Sequence, residues 1–247
     1  MSAWAVIGDG EWGRALARRL ARAEHAVHLV GRRRIGARAP KDVEHTTDLG
    51  AALAGLERVI IAVPIDQLES MLTRAAPHLG GHHRVVAASR GLTPGTHLRA
   101  SEALRAMTAV RQVAVLAGAA DADALRRKTP AAVVIGSAFP AWAAEIQAAL
   151  VSPSLRVYTN SDTVGVELAN TMAAVLAVAL GAARAMGVGA SAEATALTRA
   201  VAEMDRTVQA LGGQANTAYG LAGLGVLAEL LFEGESPSLK AGAALAA

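Results

Sequence analysis

The 247-residue chain contains no cysteine. This excludes disulfides, thiolate metal sites and a cysteine nucleophile, and it fits an intracellular setting. Aromatic residues make up only 3%, and the net charge is +3. Such a composition offers no basic-aromatic surface for stacking on bases, so nucleic acid is not an expected partner. Lysine is nearly missing: of 24 basic residues only Lys41, Lys128 and Lys240 are lysines, which leaves few ammonium groups for chemistry. Long hydrophobic runs are also lacking. The longest, Leu168–Ala183, is interrupted by Asn170 and Thr171 and closely bounded by Glu167 and Arg184. It reads as too short to span a membrane and is expected to be a buried helix. The opening MSAWAVIGDG runs directly into a strand and leaves no room for a secretory leader, so a cytoplasmic protein is expected.

What is present is 53% hydrophobic, ample for a core, and arranged in alternation. Trp4–Ile7 reads as a strand, Gly8–Gly13 as a glycine loop, and Arg14–Ala23 as a helix with Leu16 and Leu20 one turn apart. Ala26–Val30, Val59–Val63, Val85–Ala88, Val113–Leu116, Ala131–Ile135 and Leu155–Tyr158 read as further strands. Helices are expected near Asp48–Ala54, Gln67–Ala76 and Ala141–Leu150. Regular alternation implies parallel strands joined by right-handed crossovers, an α/β Rossmann doubly wound sheet. From Asp162 onward strand signals stop and Ala- and Leu-rich helical segments follow. The expected division is a Rossmann domain over residues 1–159 and a smaller all-helical domain over 160–247.

Gly8-Asp9-Gly10-Glu11-Trp12-Gly13 satisfies G-x-G-x-x-G in its proper setting, after a strand and at the opening of a helix. Gly8 permits the tight turn, Gly10 lets backbone approach a pyrophosphate, and Gly13 allows close helix–strand contact. The helix N-terminus offers free N–H groups to phosphates. A bound dinucleotide is therefore expected. The second strand ends at Gly31-Arg32-Arg33-Arg34, where no acid is available for a ribose 2′-hydroxyl but guanidinium groups suit a 2′-phosphate. NADP is favoured over NAD, with Arg32 and Arg33 as contacts; the competing reading is a solvated basic cluster.

The glycine loop with Trp12, Ile61-Ala62-Val63-Pro64, Ser89-Arg90-Gly91-Leu92, Val157-Tyr158-Thr159-Asn160-Ser161-Asp162, Gly165-Val166-Glu167-Leu168, Leu197-Thr198-Arg199 and Gly220-Leu221-Ala222-Gly223-Leu224-Gly225 together resemble the bacterial-type NAD(P)-dependent glycerol-3-phosphate dehydrogenase family in order and spacing. The resemblance implies reduction of dihydroxyacetone phosphate to sn-glycerol 3-phosphate in a cleft between the two domains. It also implies cofactor contacts at Glu11, Trp12, Arg90 and Ala122.

Departures from the family pattern are concentrated in the catalytic half. The family's helical lysine, beside the reacting carbonyl, falls at Ala173, and the asparagine after it at Ala174. A second lysine becomes Arg90, which keeps charge but does not usefully donate a proton. The Gly-Pro-Ser-Phe-Ala segment becomes Gly118-Ala119-Ala120-Asp121-Ala122, the aspartate after Gly-Leu-Gly becomes Val226, and Ser236-Pro237-Ser238 replaces a phosphate-binding Ser-Arg-Asn. The resemblance also leads one to expect the family's last helices beyond the final residue of this sequence. Arg90, Asn170 and Thr171 are the remaining candidates for a polar catalytic site; the competing role for Asn170 is a hydrogen-bonded core residue. Glu167 is expected to pair with an arginine, and Thr198 and Arg199 to pack and cap between helices. His82-His83 is expected in a solvated loop, with no metal, and Asp121 and Asp123 take no catalytic role. Two readings stay open. One is an oxidoreductase acting on dihydroxyacetone phosphate or a related small phosphorylated substrate. The other is an inactive NAD(P)-binding pseudoenzyme with a sensing or regulatory role. A homodimer through the helical domain is expected.

Overall fold

The computed structural model describes residues 2–36 and 39–246. In chain order its strands are β1 (Ala3–Ile7), β2 (Ala26–Val30), β3 (Glu44–Thr46), β4 (Arg58–Ile61), β5 (Arg84–Ala87), β6 (Gln112–Ala117), β7 (Ala131–Ser137) and β8 (Leu155–Asn160). The first helices are α1 (Glu11–Ala21), α2 (Leu49–Leu53), α3 (Leu68–Ala75), α4 (Ala100–Met107), α5 (Ala122–Arg127) and α6 (Pro140–Leu150). All eight strands form one sheet in the order β3-β2-β1-β4-β5-β6-β7-β8. The chain steps outward from β1 to β3, then returns to β4 on the other side of β1, so the strand order reverses between β1 and β4.

The strands are short apolar runs because both faces of the sheet are covered. Side chains alternate across it: Trp4 and Val6 of β1 join Leu16 and Leu20 of α1 and Trp142 and Ile146 of α6 on one face. Ala5 and Ile7 point to the other, with Leu68 and Leu72 of α3 and Leu104 of α4. Burying one such leucine contributes about 1.5–3 kcal/mol.

The expectation of a wholly parallel sheet needs correction. β7 runs antiparallel to β6, pairing Ala117 with Val134 and Ala114 with Ser137, while β8 is parallel to β7. Apolar strands of both senses look alike in sequence, and the short α5 that lies between β6 and β7 does not carry the chain back across the sheet. β3 and α4 escaped the sequence reading because β3 has three residues and α4 lies in a stretch of mixed polarity.

After β8 the described residues form helices and turns: α7 (Thr163–Ala185), α8 (Ala190–Ala210), a π-helical turn at Leu221–Gly225, α9 (Val226–Glu233) and α10 (Pro237–Ala246). α7 spans 23 residues, longer than the sequence suggested, and is long and apolar enough to cross a membrane by length and composition alone. More than half of its most apolar window is buried within the fold, against β6, β7, α8, α9 and α10. Asp162 caps it, accepting a hydrogen bond from Gly165 N at 2.8 Å. The same carboxylate accepts from Gln214 N (2.7 Å) and Thr217 Oγ1 (2.6 Å), fastening the segment beyond α8 to the start of α7.

Candidate active site

The glycine loop is thin because side chains are sterically excluded from it. Gly8 has φ +115°, and a Cβ there would strike the Ala62 carbonyl beyond β4. A Cβ on Gly13 would meet the Gly8 carbonyl in the same way. α1 therefore starts hard against the ends of β1 and β4, at the reversal of strand order. Its internal bonding begins with Arg14 N donating to Gly10 O at 3.0 Å, which leaves the N–H groups of Glu11, Trp12 and Gly13 without acceptors inside the helix. A Cβ built on Gly10 meets no protein atom within 4 Å. Open space beside free helix N–H groups is the geometry a pyrophosphate needs, so these residues fit a dinucleotide.

Two clefts meet at this loop. The one on the β2 side, about 310 Å³, is lined by Gly8, Gly10, Gly31, Arg32, Met71 and Arg74 among others. Arg32 and Arg74 are both exposed. Arg33 is exposed as well but does not line this cleft among the described residues; the second guanidinium comes instead from Arg74 on α3. Helix periodicity gave no hint of Arg74, because its approach to β2 is set by tertiary packing. An acid does lie here, from the loop and not from the strand end. Asp9 sits over Gly31 with its Oδ2 3.4 Å from Nε2 of His45 on β3.

The larger cleft, about 840 Å³, opens on the β6 side. Glu11, Trp12 and Ala122 line its cofactor end. Arg90, in the loop after β5, lines it further in; Ser89 Oγ donates to Val63 O at 2.6 Å and fixes that loop to the one after β4. The surface Arg90 keeps accessible faces the cleft, and the protein around it lowers the guanidinium pKa by desolvation. Asn170 reaches the cleft from the second turn of α7. It is 6% exposed, and its Oδ1 has no hydrogen-bond partner, so it is not the satisfied core residue that was the competing expectation. Thr171 is placed otherwise: its hydroxyl donates to Glu167 O at 3.0 Å within the helix, and it does not line the cleft among the described residues. Ala173 is fully buried in the apolar core.

Glu229, on α9, also lines this cleft and was missed by sequence reasoning. The available signal was a charge set alone within the apolar run Val226-Leu227-Ala228-Glu229-Leu230-Leu231. Its carboxyl is pushed up to about 7, chiefly by burial, with Asp121 and Glu233 adding repulsion and Arg90 opposing both. Asp121 caps α5, accepting from Ala124 N at 2.6 Å, and stands at the rim with Glu233.

Other expected roles resolve away from the clefts. Glu167 pairs with Arg99 (3.3 Å) and accepts from Ser101 N (2.9 Å) and Ser101 Oγ (2.6 Å), joining α7 to α4. Burial still raises its pKa. Thr198 and Arg199 are exposed; the Thr198 hydroxyl is bonded back to Ala194 O at 2.9 Å within α8, while Arg199 lines a groove between α8 and α7. His82 is exposed, but His83 is 2% exposed and accepts from Gly80 N at 2.9 Å, a buried turn residue where a solvated loop was expected. Among the described residues no cluster of three His, Cys, Asp or Glu side chains could hold a metal.

Sequence profiles of two halves of one family match the chain: NAD-dependent glycerol-3-phosphate dehydrogenase N-terminus over residues 35–143 and its C-terminus over 162–247. The glycerol-3-phosphate dehydrogenase [NAD(P)+] of Deinococcus radiodurans is 39% identical over 99% of this chain and 78% of its own length. That of Acidithiobacillus ferrooxidans is 38% identical over 91% and 70%. The crystal structure of glycerol-3-phosphate dehydrogenase from Coxiella burnetii superposes with a TM-score of 0.83 at 27% identity, covering 99% of this chain and 84% of that one. With both family halves matched and relatives this similar along nearly its whole length, the chain belongs to the NAD(P)-dependent glycerol-3-phosphate dehydrogenase family.

Proposed function

We propose that the chain is an NADP(H)-preferring oxidoreductase that reduces the carbonyl of dihydroxyacetone phosphate or a related small substrate. The observation that carries this reading is the pair of clefts meeting at Gly8–Gly13, with Arg32 and Arg74 on one and Arg90 and Asn170 on the other. The bound dinucleotide would supply hydride. Glu11, Trp12 and Gly13 would hold its pyrophosphate through backbone N–H groups, and Arg32 with Arg74 a 2′-phosphate. Arg90 would stabilise negative charge growing on the carbonyl oxygen, and Trp12 would shield the reacting end from water. A homodimer is part of the same reading, supported by exposed Val175, Met186 and Leu245 on the helical region.

NADPH oxidation in the presence of dihydroxyacetone phosphate and a panel of small 2-oxo compounds tests the activity. Consumption of NADPH with at least one of them is the expected result. Binding of NADPH with no ketone consumed would instead favour the sensing role, for which burial of Ala173 at the family's lysine position is the supporting observation. The cofactor preference has its own test. One charge-assisted contact contributes about 1.5–3 kcal/mol, so Arg32→Ser is expected to weaken NADPH binding about 10- to 100-fold and leave NADH almost unchanged. Equal loss for both, measured by fluorescence titration, would place Arg32 outside the 2′-phosphate site.

A further inference from the structure

From the larger cleft we infer that Glu229 is the proton donor for carbonyl reduction, acting with Asn170 and Arg90 where this chain has no lysine; the inference rests on the oxidoreductase reading above. Three features of the cleft place the chemistry there. Glu229 lines the same cavity as Trp12 and Ala122 at the cofactor end, so a small molecule held between them meets its carboxyl. Asn170 lines that cavity from α7, and its amide oxygen is buried with no hydrogen-bond partner, so no protein hydrogen bond holds that oxygen in place. Arg90, from the opposite wall, supplies a fixed positive charge.

The charged groups around Glu229 are drawn from several elements. Arg90 comes from the loop after β5, Asp121 from the cap of α5, Glu233 from the next turn of α9 and Glu11 from the start of α1. Burial, with the Asp121 and Glu233 carboxylates against the one guanidinium of Arg90, pushes the Glu229 carboxyl up to about 7 and keeps its proton in place below that pH. That matches an acid to a reaction run near neutrality. As a hydride is added to the carbonyl carbon, reducing ketone to alkoxide while the dihydronicotinamide is oxidised, the O–H bond of Glu229 breaks and a new O–H bond forms on the substrate oxygen. The carboxylate recovers its proton from water when the alcohol leaves.

Glu229→Gln keeps the shape and removes the proton. General acids of this kind contribute about 10²–10⁴-fold, so kcat with the best carbonyl substrate should fall by at least 100-fold while the Kd for NADPH is kept. Wild-type kcat should decline as pH rises through about 7, and the variant should lose that ionisation. Glu229→Asp, with a carboxyl one methylene shorter, should restore part of the rate and the pH profile. The protein without cofactor gives an independent readout. A carboxyl raised from 4.5 to about 7 is protonated in the fold and ionised in the unfolded chain between those values, so the Tm should fall as pH rises through that window. In Glu229→Gln this slope should be shallower. A variant with wild-type rates and pH profile would overturn the assignment of the acid alone. A wild type that binds NADPH and reduces no carbonyl would overturn the oxidoreductase reading and the acid with it.

Discussion

Gly10→Asp is expected to leave the fold intact and reduce NADPH binding by two to three orders of magnitude. The two halves of this expectation have separate physical origins. A Cβ at Gly10 meets nothing within 4 Å, and its φ of −65° suits any L residue, so folding places no demand on glycine there. The space is empty of protein because the pyrophosphate is to occupy it. A carboxylate placed there opposes phosphate charge at close range, a repulsion of about 4 kcal/mol at 4 Å for an effective dielectric near 20, reduced by salt. Thermal melting should superpose on wild type while fluorescence titration shows the loss. Gly13→Ala is the contrasting change. Its added methyl collides with the Gly8 carbonyl, so it should depress Tm by several degrees before any ligand is added. A Gly10→Asp protein that binds NADPH normally would remove the loop from the cofactor site.

The largest loss of stability from a single polar residue is expected at Asp162. Its carboxylate caps α7 through Gly165 N and also serves Gln214 N and Thr217 Oγ1, all within 2.8 Å. Asp162→Ala removes a helix cap, about 1 kcal/mol, and leaves two further polar groups without a partner, each about 1–3 kcal/mol. A total of about 3–7 kcal/mol is expected, a large share of the margin of an ordinary domain. Asp162→Asn keeps one acceptor oxygen and should lose less than half as much. Urea denaturation of the three proteins would check the order. Equal stability of Asp162→Ala and wild type would mean that the turn after α8 is held by packing alone.

Much of the sheet was legible in advance because buried strands are short apolar runs and turns carry glycine or proline. β1, the loop and α1 were legible in detail, since sterics dictate residue type at Gly8 and Gly13. The direction of β7 was not, because strand polarity leaves no mark on a fully buried strand and depends on where α5 ends. In the site, Arg32, Arg90, Trp12 and Ala122 could be named from motifs. Arg74 and Glu229 could not, since each reaches its cleft only through packing of its helix against a distant strand or loop. Thr171 illustrates the converse. It stood beside Asn170 as a candidate, but a helix turns by about 100° per residue and carries it away from the cleft.

The reversed β7 also has a mechanical consequence. Because β7 and β8 both descend the sheet, the chain leaves it at the end opposite the glycine loop, and α7 must climb back across β6 and β7 before Asn170 reaches the cleft. One covalent link, the Asn160–Asp162 turn, joins the strands to the helices, and it lies far from the cofactor loop. Val166 is packed so tightly on Gly136 that a Cβ on that glycine would sit 3.0 Å from the valine Cβ. Sliding of α7 over the sheet is therefore blocked near its base, while its far end has greater leverage. Opening and closing of the cleft should accordingly be a rotation about the foot of α7, with small displacements at Val166 growing toward Asn170 and α9.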